Sequence, residues 1–345
     1  MSVGRFLQQA AAGAGGVSVD DVFSTFLYTG NGSTQTITNG IDLDGEGGLV
    51  WIKNRDAAVN HQLHDTERGA SVGLNSNNAN AQYTDANAIT SFNADGFSMN
   101  NNYNSHNQSG VNFASWTFRK QPGFFDVVTY TGNGTTQTIN HSLGSVPGMI
   151  IVKSTSGAYD WAVYHRGVNG GTNSEQYGLY LNATQAQQDN DTLWNDTAPT
   201  STQFSVGKSS GASSSTNANG ATYVAYLFAH DAQEFGGQSI IKCGSYGPGT
   251  ESLDGPEVTL GWEPQWLLTK AYGPSGYSGD WVITDSVRGV VTNGNDEFLR
   301  PNLSNGELTA ELVNFTSTGF KIRSYYAYMN QNPLNYIYVA IAKGS

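Results

Sequence analysis

A threefold internal repeat is the feature that most constrains the fold of this 345-residue chain. Residues 27–32 recur as 129–134, with a shared Tyr-Thr-Gly-Asn-Gly core, and residues 244–249 are a weaker third version. The repeat unit is about 110 residues long, whereas solenoid repeats span ~20–50 residues. A unit of this length is sufficient for a domain with its own core, so the sequence predicts three domains in tandem.

Further matches follow in the same order in each copy. About twenty residues after each turn, an apolar strand ends in lysine, then comes a segment closing on Arg-Gly, and each copy ends in an aromatic strand. The lysines are Lys53, Lys153 and Lys270, the arginines are Arg68, Arg166 and Arg288, and the closing strands cover 113–118, 223–228 and 338–342. The predicted organisation is an N-terminal anchor segment at 1–25 followed by repeats at 26–121, 122–236 and 237–345.

The pattern within each copy predicts an all-β chain. Strands of four to seven residues rich in Val, Ile, Tyr, Trp and Phe alternate with turns of Gly, Asn, Ser and Thr, which is typical of antiparallel sandwiches. Outside the N-terminal segment we find no amphipathic helical stripe of ten or more residues. The prediction is three tandem antiparallel β-sandwiches, jelly-roll-like, with a short helical or extended anchor.

Composition and charge narrow the possible partners. The formal net charge is −12 and only 13% of residues are charged, with no basic run, so nucleic acid is not expected as a ligand. Cys243 is the only cysteine, which excludes an intramolecular disulfide and a thiolate zinc site; a buried structural thiol is predicted. The first sixteen residues are too polar and too short for a membrane span, and no membrane partner is predicted.

Catalytic and metal-binding patterns are weak. His61, His64 and Asp65 could be a metal-ligand cluster, but the other copies have Trp161 and Trp281 in this stretch, so a site repeated in every copy is excluded. Acidic turns such as 42–46 fit solvation or calcium ligation as well as glycoside hydrolysis. We predict no catalytic residue, no metal site and no cofactor, while a divalent ion in the first repeat stays open.

The repeated basic and aromatic residues have structural interpretations. The three arginines are predicted to fix loops through several donor hydrogen bonds, and the three lysines to extend their ammonium groups to water. Trp161 and Trp281, with Trp51 and Trp116, are predicted to build cores. Tyrosines near the C-terminus are predicted as a contact surface for protein or sugar; they are Tyr326, Tyr328 and Tyr336.

The N-terminal segment has two alternative interpretations, a disordered terminus or an anchor that becomes ordered on a partner. Residues 6–12 could form two helical turns. In the anchor hypothesis the docking residues are Phe6, Leu7, Gln8 and Gln9.

With these motifs, residues 26–344 resemble a family of repeat domains found in virion proteins of tailed phages, especially marine ones. The second copy carries the pattern most fully, whereas the first lacks Asp-Trp and the third has Gly-Pro-Gly in place of Gly-Asn-Gly. The matching segments are 130–134, 147–153, 160–161, 179–182, 223–226 and 315–320.

The resemblance implies a non-enzymatic virion protein in a tail-fibre, tail-tip or head-fibre role. Its expected partners are other virion proteins, further copies of itself in a homotrimer, and a host surface glycan or protein. The expected location is the exterior of the tail or capsid, after synthesis in the host cytoplasm. Two alternatives stay open: a decoration protein on the capsid and, in a different class, a carbohydrate-active depolymerase.

Overall fold

The computed structural model describes residues 16–208, 215–274 and 276–344, and the predicted all-β fold is confirmed for them. The first repeat begins with a one-turn helix, α1 (Val19–Val22), which leads directly into a strand. Its strands are β1 (Phe23–Thr29), β2 (Gln35–Thr38), β3 (Gly48–Asn54), β4 (Gln62–Asp65), β5 (Val72–Gly73), β6 (Tyr83–Thr84), β7 (Ile89–Asn93), β8 (Gly96–Met99) and β9 (Asn112–Arg119).

The second repeat follows the same order but has eight strands, because it has no counterpart of β7. It contains β10 (Phe125–Thr131), β11 (Gln137–Asn140), β12 (Pro147–Ser154), β13 (Ala162–His165), β14 (Tyr177–Tyr180), β15 (Gln188–Asp189), β16 (Gln203–Val206) and β17 (Thr222–Ala229). Two 3-10 turns (Val168–Gly171 and Ser174–Gln176) follow β13, and the short helix α2 (Asp191–Trp194) follows β15.

The third repeat completes the series. Its strands are β18 (Ile241–Tyr246), β19 (Glu257–Thr259), β20 (Pro264–Gly273), β21 (Trp281–Asp285), β22 (Asp296–Leu299), β23 (Leu308–Ala310), β24 (Val313–Thr316), β25 (Gly319–Ile322) and β26 (Asn335–Ala342).

Each repeat pairs its strands in the same nested way, which makes it a sandwich of a large and a small sheet. The large sheets have the orders β1-β9-β3-β4, β10-β17-β12-β13-β14-β15 and β18-β26-β20-β21-β22-β23. The small sheets are β2-β8-β7, β11-β16 and β19-β25-β24. The first strand thus lies beside the last and the second beside the last but one, all antiparallel.

One central strand of each large sheet is buried on both faces. Every residue of β3, β12 and β20 is buried, which explains why these strands are nearly continuous apolar runs. In β3 the side chains alternate: Val50 and Ile52 join the sandwich core beneath the small sheet, whereas Leu49 and Trp51 join a second cluster. That second cluster contains residues of all three repeats, including Trp161 and Trp281.

The three large sheets therefore meet in one shared core. Phe118 on β9 lies at the meeting point, with its ring centroid 5.6 Å from that of Phe228 in the second repeat and 5.8 Å from that of Trp266 in the third. Val19 and Val22 of α1 belong to the same cluster. The copies pack around a common centre, an arrangement that the repeat pattern alone did not predict.

Candidate functional site

The seams between repeats contain several buried ionisable groups. The fourth strand of each repeat ends in Asp65, His165 or Asp285, which occupy equivalent positions in the sheet. Each of these side chains faces the closing strand of a neighbouring repeat: the second repeat contacts the first, the first contacts the third, and the third contacts the second. The contacts form a closed cycle within one chain.

In the seam between repeats 1 and 2, Tyr226 donates its hydroxyl to Asp65 Oδ2 at 2.8 Å. Arg68 donates Nε to the same oxygen at 2.6 Å and Nη2 to the Tyr226 hydroxyl at 3.2 Å. All three side chains are almost completely buried. The Tyr226 hydroxyl donates to the carboxylate and accepts from the guanidinium, so the two opposite buried charges are paired and also hydrogen-bonded to a neutral group.

The seam between repeats 1 and 3 repeats this design with tryptophan. Trp116 Nε1 donates to Asp285 Oδ2 at 3.1 Å, and Arg288 donates Nε to that oxygen at 2.6 Å. The Arg288 guanidinium also lies 5.2 Å from the centre of the Trp116 ring, a cation-π contact.

The third seam differs because its closing strand has no polar side chain at the equivalent position. The register places Val339 where Trp116 and Tyr226 lie in the other repeats. Facing it, Gly167 N–H donates to His165 Nδ1, so Nε2 carries the proton and donates to the backbone oxygen of Tyr338 at 3.0 Å. Burial lowers the pKa of His165 to about 3, so its imidazole is neutral at pH 7.

A second set of equivalent residues donates ring N–H groups across the seams. Trp161 donates to the backbone oxygens of Asn75 and Asn78 at 3.0 Å, and Trp281 donates to that of Tyr180 at 2.9 Å. His61 replaces tryptophan in the first repeat. Trp51 Nε1 donates to its Nδ1 at 2.9 Å, and its Nε2 donates to the Arg300 oxygen at 3.1 Å.

The lysines that end the third strands are fully buried, so the prediction that they extend to water is wrong. By strand alternation they lie on the same face as Trp51, Ile151 and Leu268, which belong to the shared core. Lys53 and Lys153 each donate to two backbone oxygens of the following turn, and Lys270 donates to Ala271 and to Thr184 of the second repeat. Burial lowers the pKa of Lys53 and of Lys153 to about 8 and that of Lys270 to about 7.

The three Arg-Gly pairs are not structurally equivalent. Arg68 and Arg288 lie three residues after the strand-ending aspartates and each makes several donor hydrogen bonds. Arg166 directly follows His165 and is exposed, and Val168 holds the equivalent buried position. The Arg-Gly dipeptide recurs in sequence, but the spacing from β13 separates Arg166 from the other two.

The histidines of the first repeat do not converge on a metal position. His61 is engaged by Trp51 and Arg300, whereas His64 Nδ1 lies 3.1 Å from the Ala70 oxygen. Burial lowers the pKa of His64 to about 3. Within the described ranges no group of three or more His, Cys, Asp or Glu side chains could hold a metal ion. Cys243 is buried, and burial raises the pKa of its thiol, which disfavours the reactive thiolate.

A set of buried asparagines holds the first hairpin of each repeat and was missed from the sequence. Asn107, Asn217 and Asn330 each accept from a backbone N–H of the turn at 2.9 Å and donate back to it. The residue before each asparagine accepts from the tyrosine hydroxyl of the first strand. Alignment of the copies at the position five residues before each closing strand could have revealed them.

The tyrosines predicted as a contact surface separate into two groups. Tyr326 is 48% exposed and stacks on Tyr328, with ring centroids 5.1 Å apart. Tyr328 in turn lies under the Arg300 guanidinium, 5.0 Å from its ring centre. Tyr336 is fully buried and donates its hydroxyl to Ala327, so its assignment to the surface is wrong: its position in β26 faces the sandwich core.

Two open clefts have polar linings. A cleft of about 690 Å³ lies at the end of the first sandwich, where Tyr83, Tyr103 and His106 line it together with several asparagines. A second cleft of about 380 Å³, the junction cleft, lies between repeats 1 and 2. Its lining residues are Arg68, Gln82, Thr129, Tyr130, Thr131, Thr155, Thr222 and Tyr223.

The predicted anchor residues Phe6, Leu7, Gln8 and Gln9 lie outside the described residues. No helix in the described part of the chain is long and apolar enough to cross a membrane.

A protein-family model matches most of this chain. Residues 18–344 match the model of a family described as "Domain of unknown function (DUF7483)". No curated protein matches the chain. A solved structure titled "Crystal Structure of the STIV MCP" is similar over 63% of this chain and 95% of that chain, at 10% sequence identity and a TM-score of 0.19. A TM-score this low does not indicate a shared fold.

Proposed function

We propose that this chain, which belongs to the family of DUF7483 domains, is a non-enzymatic structural protein of a phage virion. It docks to the particle through its N-terminal residues and displays its three sandwiches for assembly or host-surface contact. The proposal rests on two observations. The repeat motifs resemble those of virion repeat domains, and the buried polar side chains in the seams bond to neighbouring repeats.

The bonding of the buried ionisable groups in the seams is the observation that supports a non-enzymatic role. Asp65, His165 and Asp285 are buried in seams, and their partners are side chains or backbone of the neighbouring repeat. A general acid or base must reach a substrate proton at hydrogen-bond distance. These groups serve instead to join the repeats.

Surface composition supports a contact role. Only 13% of the residues are charged, and the exposed Tyr325 and Tyr326 lie in the connection between β25 and β26. Tyrosine offers rigid amphipathic contact area at low entropic cost. We extend the proposal to a homotrimer, to be tested by light scattering, which would report three times the 36.9 kDa chain mass.

Electron cryomicroscopy of intact particles tests the location. Density for the three-sandwich body on a tail fibre or tail tip is the expected result, whereas density on the capsid lattice would favour the decoration role. Release of reducing sugar from host polysaccharide by the purified protein would overturn the non-enzymatic assignment.

Deletion of residues 1–16 tests the anchor. The truncated protein is expected to keep its β-sheet circular dichroism and its unfolding temperature but to be absent from purified particles. If it is incorporated at the wild-type level, docking does not use this segment.

A further inference from the structure

Arg68 has one unused donor group in an otherwise satisfied buried cluster. Its Nε is taken by Asp65, and its Nη2 by the Leu63 backbone oxygen and the Tyr226 hydroxyl. Nη1 has no hydrogen-bond partner, although the side chain is only 4% exposed. A buried charged donor without an acceptor is costly, so this nitrogen is the place where an added acceptor would contribute most.

The third repeat shows what fills the equivalent position. Arg288 repeats the arrangement, with Nε on Asp285 at 2.6 Å and Nη2 on the Ile283 oxygen at 2.9 Å. There Nη1 donates to a second carboxylate, Glu307 Oε1, at 3.1 Å. The same guanidinium arrangement thus donates to a second carboxylate in the third repeat and lacks that acceptor in the first.

The junction cleft lies beside Arg68, the arginine that has no counterpart of the Glu307 carboxylate. Arg68 is part of its wall, and the surrounding groups are mostly hydroxyls and amides, with Gln82, Thr129, Thr131 and Thr222 exposed. The rings of Tyr130 and Tyr223 in the same wall are stacked 5.1 Å apart. Threonine and glutamine side chains can exchange hydrogen bonds with ligand hydroxyls, and an arginine pairs well with a carboxylate.

We propose that the junction cleft binds a carboxylate-bearing sugar of the uronic acid class. The sugar carboxylate accepts from Arg68 Nη1, as Glu307 does from Arg288, and the sugar hydroxyls pair with the threonines and Gln82. Because Nη1 is covered in the free protein, binding includes a small displacement of the cleft wall. This site does not depend on the virion role, since it is defined by the chain alone.

Calorimetric titration of the full chain with glucuronate tests the proposal, with glucose and acetate as comparison ligands. Glucuronate is expected to bind saturably and at least about tenfold more tightly than either, because only it combines the carboxylate with the ring hydroxyls. Gln82→Glu places a carboxylate at the exposed cleft wall without changing side-chain size. It is expected to weaken glucuronate binding about tenfold or more by competing for Arg68 and repelling the ligand.

The matched control is Gln233→Glu, the same change at an exposed position that does not line the cleft. It is expected to bind glucuronate as the wild type does. Equal affinity for glucose and glucuronate, or unchanged binding in Gln82→Glu, would overturn the carboxylate contact. Acetate binding as tightly as glucuronate would overturn the sugar class. All of these results are obtained with purified protein, so they leave the virion role untouched.

Discussion

Residues at equivalent positions of two repeats can have different neighbours. In the seams, the side chain at each such position matches the hydrogen-bonding group that faces it. Asp65 and Asp285 occur where the adjoining repeat supplies a hydroxyl or indole donor, and His165 occurs where it supplies only a backbone oxygen. The two aspartates accept hydrogen bonds from side-chain donors, whereas His165 donates one to a backbone oxygen. The polar identity of each residue follows from the chain packed against it.

Tyr226→Phe tests the polar seam. Loss of the hydroxyl leaves Asp65 and Arg68 each without one buried hydrogen-bond partner, and we expect a loss of about 1–3 kcal/mol in the free energy of unfolding. Tyr326→Phe, which removes a hydroxyl from a half-exposed ring, is the control and should change it little. Equal effects of the two substitutions, measured by denaturant unfolding, would contradict the role of this seam.

Lys270 predicts a pH dependence. Burial lowers its pKa from 10.5 to about 7, so between these values the unfolded chain binds more protons than the folded one. The free energy of unfolding therefore increases as the pH rises from about 7 to 10.5, and Lys270 adds no such increase below pH 7. Lys270→Met should reduce the rise in unfolding free energy measured between pH 7 and 10, leaving the part due to Lys53 and Lys153, whereas Lys343→Met, at an exposed position, should not change it.

At the level of strands, close approach between repeats depends on residues without side chains. Gly148 in β12 lies against β18: a Cβ added there would be 2.6 Å from the Cβ of Cys243 and 2.8 Å from that of His230. Real Cβ atoms do not approach this closely, and the neighbours are next to the backbone, so the strands would have to separate. The absence of a side chain at Gly148 thus allows the close spacing between repeats 2 and 3.

Gly148→Ala should therefore destabilise the protein by about 1–3 kcal/mol. Gly273→Ala is the matched control, because its added Cβ would meet nothing within 4 Å, and we expect a change within about 0.5 kcal/mol. Thermal unfolding followed by circular dichroism gives both values. If the two variants unfold together, the contact between β12 and β18 is not tight.

Much of the strand order could be predicted from the sequence, because alternating apolar runs and Gly-Asn-Gly turns are local signals. The surroundings of Lys53, Lys153 and Lys270 could not. A lysine at the end of an apolar strand has the same pattern whether water or another repeat covers it. For the same reason Tyr336 was assigned to the surface, although β26 turns it toward the sandwich core, and Arg166 was aligned by its glycine and not by its distance from β13.

For the whole molecule, the shared core means that the three repeats stabilise one another. The largest apolar cluster draws on all three large sheets and on α1, and Phe118 contacts rings from both other repeats. Tandem domains with separate cores could unfold one after another, whereas repeats that share a core lose it together.

We therefore expect one cooperative unfolding transition for the chain, with calorimetric and van't Hoff enthalpies in agreement. Phe118→Ala should lower the midpoint of that single transition, at a cost of about 3–5 kcal/mol for the large cavity. Three resolved transitions, or a shift confined to one of several, would show that the repeats are energetically independent.

The three seams differ in their polar residues, and this difference has a consequence for binding stoichiometry. A trimer of identical subunits presents every surface groove three times, so any ligand for such a groove is trivalent. Here the three junctions belong to one polypeptide and differ in their polar residues, and the guanidinium left without a second carboxylate faces only the junction of repeats 1 and 2. A molecule that occupies this junction would bind once per chain, and multivalent attachment would have to come from the number of chains brought together.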